Sequence, residues 1–236
     1  MSGLTITGTG ITLGSGISIH MPPVLMLNLD AATYTSGPWI DTVSSRSFTL
    51  NNGVSYSSDG GGSLVFDAAS SQSAVCSSSL PNLSTWAVEV WHYYTGNNSS
   101  GSPEIVTETY AGSGGINYTL GAINNDSTGL SAGWFNGGSW IYTNTSYTLT
   151  PDNWYQIVGT YDGYNVNLYV NNVLVESTVN PAGNAYSSGL GIRLMERWDN
   201  ADYWDGKLGI VNIYDGYMDD SDVDASWNAN KARFGL

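Results

Sequence analysis

A chain of 236 residues with 41% apolar side chains holds enough hydrophobic material for one core between two packed layers, and only 11% of it is charged. Twenty acidic residues against six basic ones set the formal charge at −14, which excludes nucleic acid or an anionic membrane as a partner and leaves neutral polyols, cations or a basic protein surface. The single cysteine, Cys76, rules out an intrachain disulfide, and neither a cleaved leader nor a membrane span is expected from the apolar runs.

The first segment, 4–19 (LTITGTGITLGSGISI), sets short β-branched triplets between glycines. Such triplets bury little alone, because a two-stranded ribbon is marginal in water, and they leave backbone groups open to another chain. Leu4, Ile6, Ile11, Leu13, Ile17 and Ile19 are therefore the candidates for anchoring or oligomerisation. Met21-Pro22-Pro23 marks a boundary, since consecutive prolines donate no ladder hydrogen bonds, and divides the chain into a β arm at 1–22 and a domain at 23–236.

From there, period-two alternation predicts strands at 25–29, 47–50, 63–68, 72–76 and 85–94. In 85–94, Trp86, Val88, Val90 and His92 share one face, and Ala87, Glu89, Trp91 and Tyr93 share the other. A loop of Gly, Asn, Ser and Thr at 95–103 precedes strands at 104–110, 116–123, 129–135 and 139–143. The strongest pattern follows as a meander: 154–161, a turn at Asp162-Gly163, 165–170, a turn at Asn171-Asn172, and 173–176. Strands at 189–196 and 207–214 come last. One short helix closes the chain, with Ser221 as N-cap, Asp224 completing a capping box, Val223 and Trp227 on its buried side and Gly235 as its stop. Asp219, Asp220 and Asp222 then serve the helix dipole rather than a metal. The fold class is all-β, with strands enough for two antiparallel sheets around one core, a short C-terminal helix and an N-terminal β arm.

The meander and the later segment GKLGIVNIYDGYMDDSDVDASWNANKARFG, preceded in order by LMLNLDAATY, GPWIDTV, GGSLVFDAASS and LSTWAVEVWHYYTG, resemble the laminin-G-like branch of the concanavalin A-like lectin/glucanase superfamily. The resemblance runs from Leu25 onward and is to the form found in bacteriophage structural proteins. It implies a two-sheet antiparallel jelly-roll sandwich and a place on a virion, in capsid or tail, with other virion proteins as partners through the arm. A homo-oligomer follows, with a trimer favoured by analogy with phage fibres, and host-surface polysaccharide is the external partner. Glu89 is implied to be scaffold.

Catalysis has little to build on. The paired carboxylates of glucanases, E-x-D-x-E on one strand, are absent, and Glu104 and Glu108 would stand ~13 Å apart at about 3.3 Å per residue, too far for retaining hydrolysis. His20 and His92 have neither a nucleophile elbow to serve nor a cysteine cluster to join, so the chain reads as a non-enzyme. Calcium is the candidate cofactor: Asp199, Asp202 and Asp205 in DNADYWDG place hard oxygen donors on one loop, although the same loop also reads as a turn before the next strand. Nine Trp and sixteen Tyr against four Phe favour rings with a polar tip, which stack on sugars while hydrogen bonding at their edges. Trp86, Trp91, Trp154, Tyr155, Tyr161 and Tyr169 fall in strong strands and read as core. Outside those strands, Trp134, Trp140, Trp198, Tyr203 and Trp204 are the carbohydrate-binding candidates. The expected function is a non-enzymatic virion fibre or decoration component carrying a lectin-like domain. A purely structural capsid or tail role is the alternative, and a glycoside hydrolase a remoter one.

Overall fold

The computed structural model describes residues 5–7, 10–13, 17–110, 112, 114–122, 129–143, 147–179 and 187–236, with side chains from His20 onward. The arm contributes β1 (Thr5–Thr7), β2 (Gly10–Leu13) and β3 (Ile17–His20). Next come β4 (Val24–Asp30), β5 (Trp39–Ile40), β6 (Ser47–Asn51), β7 (Ser55–Ser57), β8 (Ser63–Phe66), β9 (Ser73–Cys76) and β10 (Trp86–Tyr94). The middle of the chain supplies β11 (Glu104–Glu108), β12 (Ile116–Gly121), β13 (Gly129–Phe135), β14 (Trp140–Tyr142) and β15 (Tyr147–Thr148). The meander is β16 (Asn153–Tyr161), β17 (Asn165–Val170) and β18 (Val173–Val179), followed by β19 (Ile192–Leu194), β20 (Gly206–Asp215) and helix α1 (Asp220–Asn230). Among the described residues no helix is long and apolar enough to cross a membrane.

The sandwich consists of an eight-stranded sheet in the order β18-β17-β16-β10-β20-β8-β7, with β4 also against β20, and a nine-stranded sheet in the order β14-β13-β12-β11-β19-β9-β6-β5, with β15 also against β13. Every main-sheet pairing is antiparallel, and β10 beside β20 and β9 beside β19 join strands far apart in sequence within one sheet, as a jelly roll requires. In the arm, Ile6 stands opposite Ile11 and Ile11 opposite Ile19. The glycine-separated triplets thus pair with one another, where the sequence suggested that another chain would supply the neighbour. Of the anchoring candidates, Ile6, Ile11, Leu13, Ile17 and Ile19 lie on these strands, while Leu4 lies outside the described residues.

Predicted and observed strands agree best where alternation is longest. β13 and β17 have the expected bounds, and β16 and β18 differ only by extension. The strand expected at 189–196 shrinks to β19 because Gly191 and Met195 both take positive φ (119° and 63°) and bend the chain out of the ladder. The one expected at 116–123 ends at Gly121, and Ile123 lies outside the described residues. β5, β7 and β15, at two or three residues each, are too short for alternation to register.

β10 is the central strand of its sheet and buries both faces. Trp86, Val88 and Val90 enter the core between the sheets, while Ala87 and Trp91 face outward into apolar clusters under the C-terminal segment. There Trp91 is stacked against Trp227 (5.7 Å, 11°) and against Phe234 (4.7 Å, 15°). Gly209 makes room for this seat, since a Cβ there would lie 2.5 Å from the Phe234 ring.

On the same face of β10, beside Trp91, sits Glu89, fully buried. It accepts hydrogen bonds from Trp91 Nε1 (3.1 Å), Gln156 Nε2 (2.9 Å), Asn212 Nδ2 (3.0 Å), Tyr214 OH (3.3 Å) and Ser226 Oγ (2.5 Å). Five neutral donors from β10, β16, β20 and α1 thereby satisfy a carboxylate that has no cation partner, the condition under which a polar group tolerates burial. The N-cap of α1 is Asp219, two residues before the expected cap, Ser221. Asp219 accepts from Ser221 N (2.9 Å) and Asp222 N (3.1 Å), and the Asp222 carboxylate accepts from Asp219 N (3.2 Å). Aspartate caps as well as serine, so the reciprocal box forms on Asp219 and Asp222 in place of Ser221 and Asp224.

Replacing Glu89 with alanine strands these donors in an apolar layer, at about 1–3 kcal/mol for each group left unsatisfied. Glu89→Ala is expected to lose at least about 3 kcal/mol in urea unfolding, and Glu89→Gln, which keeps an acceptor, clearly less. Equal midpoints for wild type and Glu89→Ala would show that the hub does not hold the helix.

Candidate functional site

The segment after β19 shapes the outer face of the nine-stranded sheet. From Met195 the chain doubles back on itself: Arg197 N donates to Asp202 O (2.7 Å), Glu196 bridges Tyr203, and Trp204 N returns to Met195 O (3.0 Å). Trp204 plugs the base of this loop. Its Nε1 donates to His92 Nε2 (2.9 Å), so the imidazole carries its proton on Nδ1, which donates to Lys207 O (3.0 Å). Burial disfavours the imidazolium and brings the His92 pKa down to about 3.

This anchoring corrects two of the aromatic candidates. Trp204 is 1% exposed and Trp134 is 0% exposed, the latter packed on Tyr161 at 4.3 Å in the core. The alternation of β13 turns Trp134 inward and Phe135 outward, so neither Trp134 nor Trp204 offers a face to a sugar. Trp140, Trp198 and Tyr203 remain half-buried at the surface. Trp198 and Trp140 end a row of four rings: Trp198 meets Tyr110 (5.3 Å), Tyr110 meets Phe135 (5.2 Å), and Phe135 meets Trp140 (5.2 Å). The Arg197 guanidinium lies 5.7 Å over the Trp198 ring.

The calcium expectation at Asp199, Asp202 and Asp205 does not fit the geometry. Arg197 pairs with Asp199 (Nε to Oδ1, 2.6 Å) and also with Asp202, so a guanidinium sits where a cation would have to bind. Asp202 accepts in addition from Ser102 N (3.0 Å). Asp205 points elsewhere, buried, and accepts from Ala68 N (3.0 Å) and Thr95 Oγ1. Among the described residues the one trio of metal-ligand side chains close together is His20, Asp219 and Asp222, and there the carboxylates already cap α1.

A polar groove of about 400 Å³ lies on the other side of the same loop. Ser47, Thr49 and Asn51 line it from alternate positions of β6, with Arg193 from β19 and with Glu196 and Asn200 from the loop. Arg193 is fixed by donating to Thr109 Oγ1 (3.0 Å) and by pairing with Glu196, whose own pKa is raised by burial against the pull of that arginine. Tyr203 stands beside the groove, its hydroxyl donating to Asn200 Oδ1 (3.0 Å).

Sequence reasoning missed the groove and the two inner rings of the row. The Ser-x-Thr-x-Asn alternation of β6 carries the signal for the groove, because it sets three small polar groups on one face. Nothing in local spacing announces that residues 110, 135, 140 and 198 meet.

Two buried carboxyls support this face from below. Glu104 accepts from Trp198 N (3.0 Å) and Thr119 Oγ1 (2.8 Å), and burial raises its pKa to about 8. Glu108 accepts from Asn117 N (2.6 Å) and Ser187 Oγ (2.7 Å), and burial raises its pKa to about 7. Glu104 thus holds the backbone of the residue that ends the ring row.

A family model of the concanavalin A-like lectin/glucanases superfamily, of laminin G type, matches residues 66–224. The chain belongs to this family. A search of curated protein sequences finds no match. Among solved structures, this lectin/glucanase sandwich is similar to domain 4 of AbnA, a GH43 extracellular arabinanase from Geobacillus stearothermophilus solved with arabinotriose, with 14% identity, a TM-score of 0.67, and coverage of 87% of this chain and 98% of that one. It is also similar to the binding domain of botulinum neurotoxin DC in complex with SialylT (14% identity, TM-score 0.63) and to that of Paraclostridial Mosquitocidal Protein 1 (16%, 0.65). Each of these two alignments takes in 87% of this chain and about half of the other, 51% and 52%. At such identities the likeness establishes the shared fold.

The raised carboxyls make stability depend on pH in a defined direction. Between the ordinary value of 4.5 and their folded values near 7 and 8, Glu108 and Glu104 hold protons that the unfolded chain has released, so their contribution is full below 4.5 and is lost as pH rises through 7 and 8. His92 works the other way: its contribution is full above 6.5 and is lost as pH falls toward 3. Between about pH 6.5 and 8 the two carboxyls act without that opposition, and the thermal midpoint should fall across this window. In Glu104→Gln the fall should be shallower, and a slope identical to wild type would contradict the protonated state assigned to Glu104.

Proposed function

We propose that the domain is a non-catalytic carbohydrate-binding module whose ligand lies across the outer face of the nine-stranded sheet. The observation that carries this reading is the row Trp198, Tyr110, Phe135 and Trp140 at half-burial beside a groove lined by Ser47, Thr49, Asn51 and Arg193. A sugar presents an apolar C–H face and a polar edge, and this surface offers rings for the one and hydroxyl, amide and guanidinium groups for the other. The chain's charge of −14 favours a neutral glycan. Proteins of the same fold include an arabinanase domain in complex with arabinotriose and a botulinum neurotoxin whose cell entry depends on two ganglioside molecules, which lends support by analogy.

Glu104 and Glu108 are each engaged by separate backbone and hydroxyl donors, which supports scaffold roles rather than acid and nucleophile. We place the module on a virion, as a fibre or decoration component held through the β1–β3 arm in a homo-oligomer, presented to host-surface polysaccharide. Support for that wider setting comes from the sequence resemblance and from an arm set off by Pro22-Pro23.

A glycan array probed with and without EDTA should show binding to neutral glycans that survives chelation, because Arg197 already engages Asp199 and Asp202. Trp198→Ala and Trp140→Ala should each weaken that binding about tenfold or more, corresponding to about 1.4 kcal/mol. Silence across the array would overturn the reading in favour of a purely structural domain.

A further inference from the structure

Two Asn-Gly pairs stand in tight turns of this chain, Asn52-Gly53 between β6 and β7 and Asn136-Gly137 between β13 and β14. In such a pair the carboxamide can close on the backbone nitrogen that follows it, because glycine has no Cβ to keep the two apart. The two turns hold their carboxamides in opposite ways. At Asn52 the nitrogen is the anchored atom: Nδ2 donates to Ser71 O (2.6 Å), and no donor among the described residues reaches Oδ1. Gln72 Nε2 also donates to the backbone carbonyl of Asn52 (3.0 Å), which ties this turn to the start of β9.

At Asn136 the oxygen is anchored instead. Oδ1 accepts from Gly138 N (3.1 Å) and Ser139 N (2.8 Å), an Asx turn that folds the side chain back over its own C-terminal peptide. No acceptor among the described residues takes Nδ2. The hairpin closes around this turn, with Asn136 N donating to Ser139 O (3.2 Å) and Phe135 opposite Trp140. Gly137 N donates to none of the described residues, and Gly137, Gly138 and Ser139 are all exposed, so water reaches the nitrogen and the carboxamide together.

We propose that Asn136 is a modification site, at which the chain's own backbone deamidates the side chain. Gly137 N gives its proton to hydroxide and attacks Cγ. As the N–Cγ bond forms, negative charge moves onto Oδ1, where Gly138 N and Ser139 N are already aimed. The Cγ–Nδ2 bond then breaks, and Nδ2 takes a proton from water and leaves as ammonia, which regenerates the hydroxide. Water opens the resulting succinimide to aspartate or isoaspartate. The net reaction consumes water, releases ammonia and changes no oxidation state. At Asn52 the same steps are opposed, since the leaving group is held and the developing charge has no fixed donor. The product puts a carboxylate at the tip of the hairpin that carries Phe135 and Trp140, and the isoaspartyl form adds a backbone atom between those two rings. The reaction needs only the hairpin, whatever the ring row binds.

The test ages the full folded chain in mildly alkaline buffer, digests it, and follows the peptides that hold Asn52 and Asn136 by mass spectrometry. Asn136 should convert at least about tenfold faster than Asn52 in the native protein, through a succinimide peptide lighter than its parent by ammonia. In guanidinium chloride the two rates should converge, because both sites keep their Asn-Gly sequence and lose their turns. Equal native rates, or a faster Asn52, would overturn the proposal. So would a ratio that persists in denaturant, since sequence alone would then set the rate and the two amides on Oδ1 would have no part in it.

Discussion

The structure depends on a strand that cannot show either face to water. β10 carries two tryptophans on opposite faces, Trp86 inward and Trp91 outward, so a sandwich alone would leave a large indole on the surface of its own sheet. The C-terminal segment exists to solve that problem, bringing Trp227 and Phe234 onto Trp91. Burying such rings is worth about 1.5–3 kcal/mol each, but it also traps Glu89, and the trapped carboxylate decides which arrangement is tolerable. Only when β10, β16, β20 and α1 are all in register do five donors reach it. A hydrophobic surface could be covered in many ways, whereas this one has a polar lock that accepts a single geometry.

The proposed binding face rests on a similar device on the other sheet. A loop that carries Trp198 and Tyr203 would be mobile if it were held by its own turns alone, since loops are exposed and poorly packed. Here its end is sunk into the core by Trp204 on a neutral His92, and its Trp198 backbone is tied to Glu104. The Arg197 clamp on Asp199 and Asp202 then stiffens the tip without any metal ligand set. Rings held this way are pre-organised, and a ligand does not have to order them on arrival.

How much of this was legible follows from the range of the interactions. Alternation over six to nine residues reports the environment of one strand, so β10, β13, β16 and β17 could be placed closely from the sequence. The helix was legible as an element, but its cap was not, because Asp219 and Ser221 compete for the role with near-equal propensity and packing of Trp227 chooses between them. Lying outside strong strands picked out Trp140, Trp198 and Tyr203, which reach the surface, yet the same criterion admitted the buried Trp134 and Trp204, since parity within a strand says nothing about which face is inside. The calcium expectation failed on a residue in plain view: Arg197 stands two positions before Asp199, and a like-charged cluster that carries its own cation has less need of another. Tyr110 and Phe135 belong to the row through contacts between distant segments, which no local pattern encodes.

The end strand of the eight-stranded order, β18, with Val173, Leu174 and Val179 exposed, also bears on how the protein behaves in bulk. Molecules carrying a charge of −14 repel one another, and this repulsion keeps exposed edges apart more effectively than anything in the strand itself. Acidification removes it as surface carboxylates take up protons, while the edge and its valines are untouched. Over part of the same range the buried Glu104 and Glu108 make the folded state more secure. Conformational and colloidal stability therefore part company on the acid side of neutrality, where a well-folded sandwich becomes a better building block for sheet-to-sheet growth into a gel or fibre.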